Sequence, residues 1–192
     1  LIARRVRELG VFSEVLPHDV SIERLEGASG IILSRGPMGV NEEGAVICDR
    51  RLLDLKVPVL GICYGMQLLN LLMGGTVRGG ALGEYGPARL VLEGEDPLFR
   101  GFTDTRVWMS HGDSLESIAP DLVVVGRSAD GLPAAVRHAN RPIWGIQFHP
   151  EVTHTRQGQK ILQNFVEMTG AARDWDVAHC ADRMIEYVRT TV

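Results

Sequence analysis

Gly61-Ile62-Cys63-Tyr64-Gly65-Met66-Gln67 is the stretch whose reading decides the fold. An apolar run, Val57-Pro58-Val59-Leu60, leads into it, and a helix-like run, Leu68-Leu69-Asn70-Leu71-Leu72-Met73, follows. The cysteine therefore stands at a strand-to-helix junction with a glycine on each side. That is the layout of a nucleophile elbow, in which glycines permit a sharp turn and leave the side chain above the sheet. A cysteine there faces a helix N-terminus, whose unpaired N–H groups and dipole favour thiolate over thiol. The same residues also permit a plainer reading, a buried structural cysteine at a strand end.

Working outward, Gly30-Ile31-Ile32-Leu33-Ser34 is a short apolar run of the kind found in a parallel strand covered on both faces. It ends in a loop, Arg35-Gly36-Pro37-Met38-Gly39. A helix is expected between Glu42 and Leu55, then the strand over 57–62. Upstream, residues 1–9 form an amphipathic helix closed by Gly10, Val11–Pro17 alternates like a strand, and Ser21 starts a short helix. Strand and helix alternating at this spacing predict a parallel sheet with helices on both faces. In such folds sites lie at the C-terminal ends of strands, where the 34–39 loop and Cys63 both fall. From Gly74 the pattern changes: 74–80 reads as loop, and strands are expected at 88–92, 105–109, 122–126, 133–137 and 142–148, antiparallel or mixed. Helical periodicity returns at 155–168 and 177–189.

The 192 residues suffice for one domain with a substantial core. A net charge of −4 gives no basis for general nucleic-acid binding. No apolar run approaches the ~20 residues of a membrane span, and no signal peptide is present. Three widely spaced cysteines, Cys48, Cys63 and Cys180, form no zinc pattern and fit a reducing, cytoplasmic setting.

A cysteine nucleophile needs a base and a group to orient that base. Of six histidines, His18, His138, His154 and His179 have no distinctive setting. His149 ends the apolar run Ile143–Phe148 and is followed by Pro150-Glu151. Proline stops a ladder, so His149 and Glu151 protrude from the strand end, two residues apart and able to point the same way. A carboxylate on one imidazole nitrogen leaves the other for a thiol. Spacing alone leaves open whether His149 meets Cys63.

Gly61–Gln67, together with Gly145-Ile-Gln-Phe-His-Pro-Glu-Val152, resembles the class I, triad-type glutamine amidotransferases. Trp108-Met-Ser-His-Gly-Asp113, Glu84-Tyr-Gly86 and Glu151–Gly158 narrow the likeness to the glutaminase domains of the bacterial GMP synthase family, over essentially the whole chain. The resemblance implies an α/β three-layer sandwich: a mainly parallel central sheet, helices on both faces, and a small antiparallel sheet. It implies Cys63 as nucleophile, His149 as acid and base, and Glu151 orienting His149. Backbone N–H groups of Gly36 and Tyr64 would form the oxyanion hole. Gln67 and the backbone of Ser110 and His111 would bind L-glutamine. No cofactor or metal is implied for this domain. ATP and Mg²⁺ would serve an ATP pyrophosphatase domain on the same polypeptide, through which the full enzyme would form a homodimer.

Three departures from the family pattern stand out. The strand that usually precedes the first helix, expected mid-sheet, is not in the sequence, which also opens without Met; a missing start is therefore expected, with unpaired strand edges as the result. The loop that commonly reads Ser-Gly-Gly-Pro is Ser34-Arg35-Gly36-Pro37, placing bulk and charge beside the site. No pyrophosphate loop is present. Residues 1–170 read as the amidotransferase domain and 171–192 as a junction and helix leading toward a synthetase domain. The rival readings are an amidotransferase of another pathway (anthranilate or aminodeoxychorismate, CTP, carbamoyl phosphate), a stand-alone γ-glutamyl hydrolase, and a non-catalytic module on the same fold.

Overall fold

The computed structural model describes residues 1–34, 39–80 and 83–176. The loop at 35–38 and the helix expected over 177–189 lie outside the described residues, and with them Arg35, Gly36, His179 and Cys180.

The chain runs α1 (Ile2–Glu8), α2 (Ile22–Leu25), β1 (Ile31–Ser34), a 3₁₀ turn (Arg50–Asp54), β2 (Val59–Ile62) and α3 (Tyr64–Leu72). Then come β3 (Thr76–Arg78), β4 (Glu84–Leu92), a 3₁₀ turn (Pro97–Phe99), β5 (Arg106–His111), β6 (Ser114–Ser117), β7 (Leu122–Ser128), β8 (Pro133–His138), β9 (Ile143–Ile146) and α4 (Gly158–Thr169). The main sheet has seven strands in the order β1-β2-β9-β8-β7-β4-β5, and β3 pairs with β6 in a second, two-stranded sheet.

This is the expected α/β sandwich with its small antiparallel sheet. Its parallel character, however, is confined to β1, β2 and β9. Every pairing from β9 outward to β5 is antiparallel, so the sheet is mixed rather than mainly parallel. The reason is local. After α3 the chain uses turns and hairpins instead of crossover helices, and strands joined that way must run antiparallel.

Both faces are covered. Leu60 and Ile62 of β2 pack with Ile161, Leu162 and Phe165 of α4, and α1 lies over α4 through Val6 and Val166. On the other face Val59 packs with Leu69 of α3, with Leu52 and Leu53 of the 3₁₀ turn, and with Ile22 of α2. Buried on both sides, β2 reads as an unbroken apolar run.

Two expected elements are not formed. The helix over 42–55 is reduced to the 3₁₀ turn, because Gly44 sits at φ +84° and breaks it. Asp49 then caps the turn, its Oδ1 accepting from Arg51 N–H at 2.9 Å. Residues 11–17 form no ladder. The backbone there is tied down locally: the Arg7 guanidinium donates to Ser13 O, Ser13 Oγ donates to Ala3 O, and Trp175 N–H donates to Gly10 O. Phe12 stacks on Trp175 with ring centroids 5.1 Å apart. β1 ends the sheet, and no described strand pairs with its outer edge. Among the described residues no helix is long and apolar enough to cross a membrane.

α3 approaches β1 more closely than any side chain allows. A Cβ on Gly65 would lie 2.1 Å from Leu33 O, and one on Gly61 would lie 2.5 Å from the Gly65 backbone. Gly65→Ala is therefore expected to cost at least about 2 kcal/mol, because backbone rather than a flexible side chain must move. Denaturant unfolding of the variant against the parent protein measures this.

Candidate active site

Cys63 begins where β2 ends. It is the one described non-glycine residue with positive φ, at φ +54° and ψ −106°. Its N–H donates to Ile146 O of β9 at 2.8 Å, and its carbonyl accepts from Met66 N–H at 3.0 Å, opening α3. The turn is held on both sides, and the thiol projects from it at partial exposure. As the first residue of α3, Tyr64 has an N–H with no helical carbonyl to bond.

His149 comes from the other side of the same sheet edge. β9 ends at Ile146, but the chain stays pinned: Gln147 N–H donates to Ala134 O at 2.9 Å, and His149 N–H donates to Trp108 O at 3.1 Å. Thr155 locks the register. Its hydroxyl donates to His149 O at 2.6 Å and accepts from Trp108 N–H at 3.0 Å. Glu151 Oε1 is 2.9 Å from His149 Nδ1, so the carboxylate and imidazole point the same way. Glu151 is 8% exposed, and its Oε2 has no hydrogen-bond partner among the described residues. Arg5 of α1 donates to Glu151 O at 3.1 Å, tying the first helix to this turn.

The electrostatics join Cys63 to His149. The imidazole is pushed up to about 9 from its usual 6.5, first by its hydrogen bond to Cys63 and next by its hydrogen bond to Glu151, against the opposing effect of burial. At neutral pH the proton therefore rests on His149. The sulfur is also touched from the other side: Gln147 Nε2 donates to Sγ at 3.6 Å, and Sγ lies 3.7 Å from Ser110 O.

The remaining predicted residues cluster on one wall. Gln67, 3% exposed, donates from Nε2 to Asp113 O at 2.9 Å and to Gln147 Oε1 at 3.2 Å. His111 is buried, with Nδ1 on Asp113 O at 2.8 Å and Nε2 on Glu84 Oε2 at 3.1 Å. Both ring nitrogens are thus engaged, which leaves the backbone of Ser110 and His111 as the part that faces outward chemistry. Asp113 also gathers the loops: Gly80 N–H donates to its Oδ1 at 3.3 Å, and a Cβ on Gly39 would lie 2.4 Å from its Oδ2. The described end of the loop that carries Gly36 is therefore packed against this wall.

Two contributors were not singled out by sequence reasoning: Gln147, within the Gly145–Val152 run, and Thr155, within the Glu151–Gly158 run. Only their contacts distinguish them from strand and turn residues. Of the histidines given no role, His138 accepts the N–H groups of Asn140 and Arg141 on Nδ1, and His154 lies against Trp108 with ring centroids 4.4 Å apart. Among the described residues no group of three or more histidine, cysteine, aspartate or glutamate side chains could hold a metal ion.

With this geometry in place, the comparisons with known proteins decide the family. The model for glutamine amidotransferase class-I matches residues 1–168. The chain belongs to that family. It is 45% identical to the GMP synthase [glutamine-hydrolyzing] of Yarrowia lipolytica over 195 residues, covering 100% of this chain and 37% of that protein. It is 44% identical to the GMP synthase of Lactococcus lactis, covering 100% of this chain and 38% of that one. Among solved structures, a GMP synthase protein from Thermoplasma acidophilum is 32% identical with a TM-score of 0.79, covering 88% of this chain and 86% of its own. A glutamine amidotransferase from Methylobacillus flagellatus, 18% identical with a TM-score of 0.69, covers 88% of this chain and 89% of its own and shares the fold. The chain thus spans little more than a third of the length of its curated relatives.

The imidazole gains its partners on folding, so its charged form is stabilised by the fold. That contribution is complete below the ordinary 6.5 and is lost as pH rises through about 9. Glu151→Gln removes the second of the two hydrogen-bonding causes. Its His149 ring is expected to titrate below the parent value, read from the imidazole C–H resonances by NMR; an unmoved titration contradicts the assignment.

Proposed function

We propose that this chain is the glutamine-hydrolysing domain of a GMP synthase, supplying ammonia to a synthetase domain on the same polypeptide. The observation that carries the chemistry is the Cys63–His149–Glu151 arrangement. A thiol on an elbow of positive φ meets an imidazole whose other nitrogen is held 2.9 Å from a buried carboxylate. The match of the whole chain to a little over a third of GMP synthases supports the pathway.

In this reading the Cys63 thiolate adds to the side-chain amide carbon of L-glutamine. The oxyanion is held by the N–H of Tyr64 and that of Gly36, each such donor contributing about 3 kcal/mol to the barrier reduction. His149, already carrying the proton, delivers it to the departing nitrogen. The C–N bond breaks, ammonia leaves, and a γ-glutamyl thioester remains on Cys63. His149, now neutral, takes a proton from water as the water attacks the thioester, and glutamate leaves as the thiolate is restored. Glu151 holds the imidazole in the tautomer that both steps need and stabilises the imidazolium. Gln67 and the backbone at Ser110 and His111 bound the glutamine. His111 serves through its main chain, since its ring is buried between Glu84 and Asp113.

Residues 1–170 constitute the amidotransferase domain and 171–192 lead toward the synthetase domain. There ATP and Mg²⁺ would activate xanthosine 5′-monophosphate, and ammonia would displace AMP to give GMP, in the cytoplasm and in a homodimer formed through that second domain. Arg35 sits where the family pattern has glycine and would border the oxyanion site.

In the full-length protein, Cys63→Ala is expected to abolish glutamine-dependent GMP formation while leaving synthesis from free ammonium salt intact. Normal glutamine hydrolysis by that variant overturns the mechanism, and failure of both reactions to give GMP overturns the pathway. The chain alone is expected to hydrolyse glutamine slowly, since ammonia made without a loaded synthetase is wasted. Release of glutamate measured on the separate chain and on the full-length protein with nucleotide bound compares the two.

A further inference from the structure

Gln147 is 1% exposed, and its side-chain amide lies between the nucleophile and α3. Its Oε1 accepts from Gln67 Nε2 at 3.2 Å, and Gln67 Nε2 also donates to Asp113 O at 2.9 Å. A main-chain carbonyl can only accept, so the Gln67 amide must present its nitrogen to Asp113 and to Gln147. The Gln147 amide must then present its oxygen to Gln67 and its nitrogen to the Cys63 sulfur, 3.6 Å away. The orientation is settled by the partners, not by choice. The backbone is equally committed, with Gln147 N–H on Ala134 O at 2.9 Å.

The consequence is chemical. A buried N–H₂ group held toward a sulfur interacts more strongly with thiolate than with thiol, because a hydrogen bond to a charged acceptor is the stronger one. Fixed in place before the reaction, the donor needs no reorganisation when charge gathers on sulfur. It stands on a different side from His149, so it persists when the imidazolium gives up its proton to the leaving nitrogen. At thioester hydrolysis the same donor favours departure of the thiolate.

We infer that Gln147 is a further catalytic residue, whose side-chain amide, oriented through Gln67 by the Asp113 carbonyl, donates a hydrogen bond to the Cys63 thiolate in both halves of the reaction. This rests on Cys63 being the nucleophile, but not on what the site hydrolyses. Gln67 is thereby also a positioning residue that acts through Gln147.

Alkylation of Cys63 by iodoacetamide in the full-length protein, followed by mass spectrometry of the peptide that contains it, tests the inference. Gln147→Met keeps the length of the side chain and removes the donor. Alkylation at pH 7 is expected to slow by about tenfold, with the pH profile moved upward. For glutamine hydrolysis, kcat is expected to fall with little change in KM. A folded Gln147→Met protein with the parent profile overturns the proposal. Where that variant does not fold, the parent protein supplies the answer. The Gln147 side-chain NH₂ resonances should move with pH in step with Cys63 alkylation and stay still in Cys63→Ala, and resonances indifferent to Cys63 overturn the assignment. A Cys63→Ala protein that still hydrolyses glutamine instead defeats the functional reading, an outcome distinct from either.

Discussion

Cys63 holds a backbone conformation, φ +54°, that an L-residue adopts only when its surroundings require it. The requirement is a close approach. Gly61 and Gly65 let α3 come within backbone contact of β2 and of Leu33 on β1, and no residue with a Cβ fits at either place. Nearly everything else in the molecule supports that contact. α4 and α1 cover one face of the sheet, Leu69 and the 3₁₀ turn cover the other, and β9 supplies the carbonyl that holds Cys63 N–H. Strain of this kind persists because the surrounding core over-determines it, and it leaves the sulfur exposed at the head of a helix.

The second half of the chain brings the base to the sulfur. Since the sheet turns antiparallel beyond β9, β5 can run beside the end of β9 and offer Trp108 O to His149. Thr155 closes the same junction with one hydroxyl bonded in both directions. α3 plays a matching part on the other wall. Gln67 reaches Asp113 O. One turn later Asn70, fully buried, donates to Thr76 O and Ser117 O and accepts from Ala119 N–H, which joins the small sheet to the helix. The substrate wall at Ser110–Asp113 is thereby referred to the same helix that carries the nucleophile.

Much of this was legible in the order of residues. The elbow announced itself through glycine spacing between a β-type and a helical run. The His149-Pro-Glu151 turn announced itself through a proline at a strand end. Both are local signals, set by dihedral freedom and by a missing N–H. The expectations that failed were those that needed a partner or its absence. Residues 11–17 alternate like a strand, yet this stretch is held by Arg7 on Ser13 O and by Trp175 on Gly10 O just before it. The helical pattern over 42–55 yields to Gly44. The strands β3 and β6, each short and polar on one side, are stable only because Asn70 bridges them.

The amino-acid sequence by itself determined the nucleophile's position, the identity of its base and orienting carboxylate, and the α/β layering, because each follows from backbone chemistry within a few residues. The tertiary structure alone decided that Cys63 and His149 meet, that the sheet turns antiparallel after β9, that the His111 ring is withdrawn from chemistry, and that Gln147 faces the sulfur. Those facts depend on which distant carbonyl satisfies which buried donor. A hydrogen bond between residues 47 or 84 positions apart, as between Cys63 and Ser110 or Gln147 and Cys63, leaves no periodic trace in the chain.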